Sequence, residues 1–178
     1  MVEMVVESVR VSLTTQNRVV ILKDKGTERY LLIWIGPLEA WAIASAVAGV
    51  PPARPCTHDL VKSVVDELGA KVTQVIVNDL REETFFARII MDSNGRHIEI
   101  DSRPSDAIAV AVRVKAPIYV EESVLNSAGV TPDTEEAGGA ATPESKPVEQ
   151  MDLERLSAFQ ELINGLDTLD DLGKPKSS

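Results

Sequence analysis

His97–Val114 reads HIEIDSRPSDAIAVAVRV, a strand with titratable side chains on alternate positions that runs straight into the start of a helix. Residues two apart in a strand share a face, so His97, Glu99 and Asp101 point one way and Ile98 and Ile100 the other. Pro104 suits a first helical turn, where its missing N–H has no partner to lose. Ser105 and Asp106 follow where the helix dipole favours oxygen and negative charge. The run AIAVAV behind them is wholly apolar and predicts a buried helix. A polar-faced strand, a sharp junction holding Asp101, Ser102, Arg103, Ser105 and Asp106, and a buried helix make a rigid platform for a polar site. The same acids would equally serve to cap the helix and pair with Arg103.

Working outward, Asn94-Gly95 between two strand-like runs is a strong two-residue hairpin signal. It sets Arg88 opposite Asp101, Ile90 opposite Glu99 and Asp92 opposite His97. Phe85, Ala87, Ile89 and Met91 then share a buried face with Ile98 and Ile100. Lys71–Asp79, rich in Val and Ile, is a further strand. After the central helix, Ala116-Pro117 is a stop, IYVE a last strand, and a short helix from about Glu122 to Ala128 closes the body.

Near the N-terminus, VEMVVESVRVSL, RVVILKD and RYLLIWI are separated by turn-forming residues, which predicts three antiparallel strands. Pro37 then opens a helix that stops at Gly49, and its only charge is Glu39. A helix this apolar is expected to be buried on most sides. Glu39 compensates the dipole, or joins a site if its end faces the junction at Asp101. Beyond Val50-Pro51-Pro52, Thr57 is an N-cap candidate, with Leu60, Val61, Val64, Val65 and Leu68 at helical spacing and Gly69 as the stop. The entry to that helix gathers Arg54, His58 and Asp59, which either cap it or form an anion site. The sequence shows no internal repeat and no metal-type Cys/His spacing.

A chain of 178 residues accommodates one sizeable domain. Residues 1–130 hold 14 Lys plus Arg against 17 Asp plus Glu, whereas 131–178 hold 4 against 11, so the net charge of −10 belongs mainly to the tail. A near-neutral body is a poor match for a protein that coats nucleic acid electrostatically, though it leaves room for a local basic patch. Cys56 is the single cysteine, which points to a reducing compartment. The first residues carry acid where a signal peptide carries positive charge, and no apolar run approaches the ~20 residues of a membrane span. These features predict a soluble, cytoplasmic protein with no membrane partner. The expected fold is α+β over residues 1–130: a mixed, largely antiparallel sheet of about six to seven strands with three main helices. A disordered acidic linker (131–150) and a short helical tail (151–178) follow. Leu153, Leu156, Phe159, Leu162 and Ile163 recur at helical spacing there, fitting a helix that docks on its own body, a neighbouring subunit or a protein partner.

Ile35-Gly36 with Glu39-Ala40 and Ile43, Arg54-Pro55 with Thr57-His58-Asp59-Leu60, Phe85 and Ala87, and above all Asp101–Ile108 are together similar to the bifunctional nuclease domain, also known as the uncharacterised family numbered 151. The resemblance spans about residues 1–128; Phe86 departs from the family's frequent Tyr and Cys56 from its common Met. It implies a compact α and β domain, often a homo-oligomer, that cleaves DNA and RNA. Phosphodiester hydrolysis needs a positioned water, charge stabilisation and help for the leaving oxygen, commonly supplied by carboxylate-held Mg²⁺ or Mn²⁺. On that reading His58, Asp59, Glu99, Asp101 and Asp106 are the catalytic candidates. Arg54, Arg103 and Ser105 are the substrate-binding candidates, and Glu39, Asp101 and Asp106 the candidate metal ligands. The alternative is a non-catalytic binding or regulatory module that holds an anion or a protein partner at the same pocket. In either case the helix starts at Glu39, His58-Asp59 and Ser105-Asp106 are expected to converge.

Overall fold

A computed structural model describes residues 1–12 and 16–132. Most of the linker expected at 131–150 and all of the tail expected at 151–178 lie outside the described residues. The chain runs β1 (Val2–Val11), β2 (Arg18–Asp24), β3 (Tyr30–Ile35), α1 (Pro37–Val47), α2 (Thr57–Glu67), β4 (Ala70–Arg81), β5 (Thr84–Ser93), β6 (Arg96–Ser102), α3 (Pro104–Val114), β7 (Ile118–Val120), α4 (Glu122–Ala128) and β8 (Gly129–Val130). Eight strands form one sheet in the order β6-β5-β4-β7-β1-β2-β3-β8. Among the described residues only β4 and β7 pair in parallel. The expected six to seven strands become eight through β8, two residues long and too short to show alternation.

The Asn94-Gly95 turn sets the expected register, with Arg88 opposite Asp101 and Ile90 opposite Glu99. Both turn residues have positive φ, as a two-residue loop between right-twisted strands requires. Ala87, Ile89 and Met91 are buried as the alternation predicts, but Ile100 is 42 % exposed. It sits on β6, the last strand of the sheet, where no further strand shelters it.

The strand order shows a repeat that the sequence conceals. β1-β2-β3-α1 and β4-β5-β6-α3 are each a three-stranded meander followed by an 11-residue helix with Pro at its start. β7 runs antiparallel to β1 and parallel to β4, so the two halves point in opposite directions, as an approximate two-fold places them. Aligning Pro37 with Pro104 superposes Glu39 on Asp106, Ala40 on Ala107, Ala42 on Ala109 and Ile43 on Val110. The likeness survives only at the strand-to-helix junction, too short a stretch for sequence periodicity to reveal.

α3 is the innermost helix: Pro104, Ser105 and Ala107–Ala111 are buried. Its neighbours differ from expectation. In α1 only Ala40, Ala42 and Ile43 are buried, while Leu38 and Trp41 are 79 % and 51 % exposed. In α2 no residue is fully buried. Helical spacing identifies an apolar stripe correctly, but it carries no information about what the stripe faces. The N-cap of α2 is Cys56, one residue before the expected Thr57, because the Asp59 carboxylate reaches back to accept the Cys56 N–H at 2.9 Å. None of the helices among the described residues is long and apolar enough to cross a membrane.

Candidate functional site

Two strand-to-helix junctions and one loop-to-helix junction meet at Arg103. The first-turn acids of α1 and α3 are Glu39 and Asp106, equivalent positions of the two halves. Arg103, the N-cap residue of α3, joins them: Nε donates to Asp106 Oδ2 at 2.7 Å, and Nη2 reaches Asp106 Oδ1 at 3.2 Å and Glu39 Oε1 at 2.9 Å. From α2, His58 Nε2 lies 3.0 Å from Asp106 Oδ1. The four side chains form one network drawn from three helix starts. Gly36 occupies the place in the first half that Arg103 occupies in the second, and the Glu39 carboxylate folds back over it where a Cβ would stand.

Exposure within the cluster is graded. The Arg103 side chain is 67 % exposed, Asp106 30 %, Glu39 17 % and His58 12 %. The guanidinium therefore meets solvent first, with Nη1 free of protein partners among the described residues, while the groups that hold it are sheltered. Burial pushes the Asp106 carboxyl up, but the hydrogen bonds from Arg103 and His58 outweigh it and the net position is below the ordinary Asp range. Asp106, and then Glu39, hold the Arg103 proton more firmly than in free arginine.

Asp59 belongs to a different assembly. Its Oδ2 accepts the Cys56 N–H and its Oδ1 accepts Arg113 Nε at 2.7 Å, so both oxygens are occupied. Arg113, in the last turn of α3, has a side chain only 6 % exposed; its Nη1 also donates to the carbonyls of Ala42 and Ala109. One buried guanidinium thus fastens α1, α2 and α3 together next to the Arg103 cluster, since Asp59 is the chain neighbour of His58. Burial raises Asp59, while the Cys56 N–H and Arg113 outweigh it and leave the carboxyl below its ordinary range. Arg113 was not among the sequence candidates, although a single charge at the end of the apolar run AIAVAV implies a buried partner.

The remaining candidates stand elsewhere. Ile98 packs on the core, so Glu99 and Asp101, on the alternate positions of β6, face away from it. Glu99 pairs with Arg88 at 2.7 Å, and Asp101 is exposed with no ion pair among the described residues. Neither joins the Arg103 network. Arg54 is exposed in the loop before α2, and Ser105 is buried at 7 % exposure in the first turn of α3. Among the described residues no three His, Cys, Asp or Glu side chains are grouped to hold a metal ion. Glu39 and Asp106 are instead held by a cation of the protein itself.

The depressed carboxyls fix the sign of an acid response. A group whose folded pKa lies below its unfolded value contributes stability that is complete above the unfolded value and is lost as pH falls through the folded one. Asp59 and Asp106, together with Asp24, which accepts from Thr27 and Gly26 and pairs with Arg29, all shift in that direction. The melting temperature is therefore expected to respond little to these groups down to about pH 5 and to fall steadily below about pH 4. Thermal melts from pH 7 to 2.5 at constant ionic strength check this. A melting temperature unchanged at pH 3 would show that these pairings add nothing to stability.

Comparison with known proteins places this geometry in a family. Residues 20–133 match the family described as "Bifunctional nuclease domain". "Uncharacterized protein MT1877" of Mycobacterium tuberculosis is 40 % identical over 91 % of this chain and 94 % of its own length. "Bifunctional nuclease 2" of Oryza sativa subsp. japonica is 34 % identical over 65 % of this chain, and "Bifunctional nuclease 1" of Arabidopsis thaliana 34 % over 70 %. The matched regions cover only 36 % and 39 % of those two plant proteins. A match over most of the described body, with the Arg103 junction inside it, shows that the chain belongs to the bifunctional nuclease domain family.

Proposed function

We propose that this chain is a cytoplasmic hydrolase that cleaves phosphodiester bonds of DNA and RNA at the Glu39–His58–Arg103–Asp106 cluster. The observation that carries the reading is the exposed Arg103 guanidinium, aimed by two sheltered carboxylates and flanked by a histidine. A planar guanidinium is suited to the non-bridging oxygens of a phosphate, and the Arg103 side chain is 67 % exposed. With Nε2–H donating to Asp106, His58 Nδ1 is the acceptor that takes a proton from the attacking water; this tautomer is assigned from the hydrogen-bond network. Asp106 then steadies the imidazolium that results, the part an acid plays beside a histidine base.

A bound Mg²⁺ or Mn²⁺ would polarise the phosphate, and Glu39 and Asp106 are the carboxylates beside it. Both are already engaged by Arg103, so this donor set does not fit a divalent ion as it stands.

The test is cleavage of single- and double-stranded DNA and of RNA by purified protein, with and without divalent metal, beside Arg103→Ala. Removing one group that stabilises transition-state charge typically costs ~10²–10³-fold; for this exposed side chain a loss of about 100-fold is expected. Equal residual cleavage by the wild type and the variant would mark the activity as contamination. The cluster would then be read as the anion-holding or regulatory module that the sequence also allowed.

A further inference from the structure

Trp34, near the end of β3, is 54 % exposed, although a side chain of this size gains the most from burial. Leu31 and Ile33 on the alternate positions are buried in the core, so the indole stands on the other face of the sheet. Among the described residues β8 pairs only with Tyr30 and Leu31, which leaves β3 open beside the ring. A hollow of about 250 Å³ lies there, lined among the described residues by Asn17, Arg18, Trp34 and Ile35. Arg18 pairs in register with Ile35, and its Nη1 donates to the Gln16 carbonyl at 3.0 Å. The other half carries a matching feature. Ala87 pairs with Ser102, so Phe86 stands level with Arg103, one step past the end of β6, and the Arg81 guanidinium lies over its ring at 5.2 Å. Each half thus sets an aromatic ring and an arginine beside its own strand-to-helix junction.

We propose that the hollow at Trp34 and Arg18 is a nucleobase subsite, in which the indole stacks on one unpaired base of a single strand whose phosphate lies on Arg103. Size selects a small flat ligand: the hollow falls below the ~300–1,000 Å³ of a site for a drug-sized molecule, which suits one planar ring system. Position links it to the cluster. Gly36, two residues after Trp34, touches the same Glu39 carboxylate that pairs with Arg103, so only ~7 Å of strand separates the ring from the cluster. Chemistry excludes the duplex. Stacking on an aromatic side chain accepts any base and gains from a neighbouring arginine, but in a double helix both faces of each base are already covered. The inference rests on the hydrolase reading for its ligand and adds that the strand enters unpaired.

Trp41→Phe leaves Trp34 as the sole tryptophan of the chain, which makes its fluorescence a direct reporter. In that variant of the full chain, a phosphorothioate-linked oligothymidylate of about 12 nucleotides, which resists cleavage, is expected to quench the emission. The same strand annealed to oligoadenylate is not. By anisotropy of the labelled strand, Trp34→Ala is expected to bind about tenfold more weakly, within the usual loss for one stacked base, and Trp34→Phe to recover most of the affinity. Both variants should keep a native circular dichroism spectrum, since the side chain is exposed. No binding of the strand, binding without quenching, equal quenching by the duplex, or undiminished affinity in Trp34→Ala would each overturn the proposal. Cleavage that depends on Arg103 alongside any of these would leave the hydrolase standing without this subsite. Quenching by single strands that the protein never cleaves would leave the subsite standing and remove the hydrolase.

Discussion

His58→Ala is expected to lower the rate of nucleic-acid cleavage by ~10²–10⁴-fold, the usual loss when a positioned general base is removed. The imidazole is 12 % exposed and tied to Asp106 at 3.0 Å, so it cannot be replaced by another side chain of the cluster. A purely structural histidine would give a different pattern. Its removal would lower the melting temperature and the rate together, and added imidazole would restore neither. For a base, imidazole in solution is expected to recover part of the rate without restoring the melting temperature. Asp106→Asn should fall between the wild type and His58→Ala. It spoils the orientation of the ring and the hold on Arg103, but leaves a base in place. Unchanged cleavage in His58→Ala would remove the histidine from the mechanism.

Arg113→Met is expected to destabilise the fold by about 3 kcal/mol, the low end of the ~3–5 kcal/mol that accompanies loss of one member of a buried ion pair. Asp59 Oδ1 loses its donor, while the carbonyls of Ala42 and Ala109 lose one donor each but keep another, Ser45 Oγ for Ala42 and the helix backbone for Ala109. Methionine fills much of the stem's volume, so the loss is chiefly electrostatic rather than a cavity. Asp59 keeps its bond from the Cys56 N–H and is 26 % exposed, which lets water recover part of the deficit and argues against the upper end. Urea unfolding should show a lowered midpoint with the slope unchanged. A midpoint within error of the wild type would mean that the three helices are held by apolar packing alone.

Local chemistry was the legible part of this chain. Asn94-Gly95 determined a register that reaches from Ser93 to Asp101, and Pro104 marked the start of α3. The meeting of Glu39 with Arg103 joins residues 64 positions apart and depends on how two helices sit over one sheet, which no short window contains. Alternation placed Glu99 and Asp101 together on one face of β6 but could not say that this face turns away from the helices. In the same way, periodicity found the stripe on α2 without its direction. Asp59 was read as a cap or a catalytic candidate; the cap is present, but its ion pair with Arg113, 54 residues downstream, lay beyond any local pattern.

The pairing of Gly36 with Arg103 bears on how such a cluster could arise at all. If two identical meander-and-helix units met as separate subunits, symmetry would give each the same junction. An arginine on both sides would set two guanidinium groups against each other, and a glycine on both sides would leave Glu39 and Asp106 as facing carboxylates with nothing between them. One cation shared by two acids is available only to halves that are free to differ. Two halves carried on one chain have that freedom, and Gly36 on one side with Arg103 on the other is how this chain uses it.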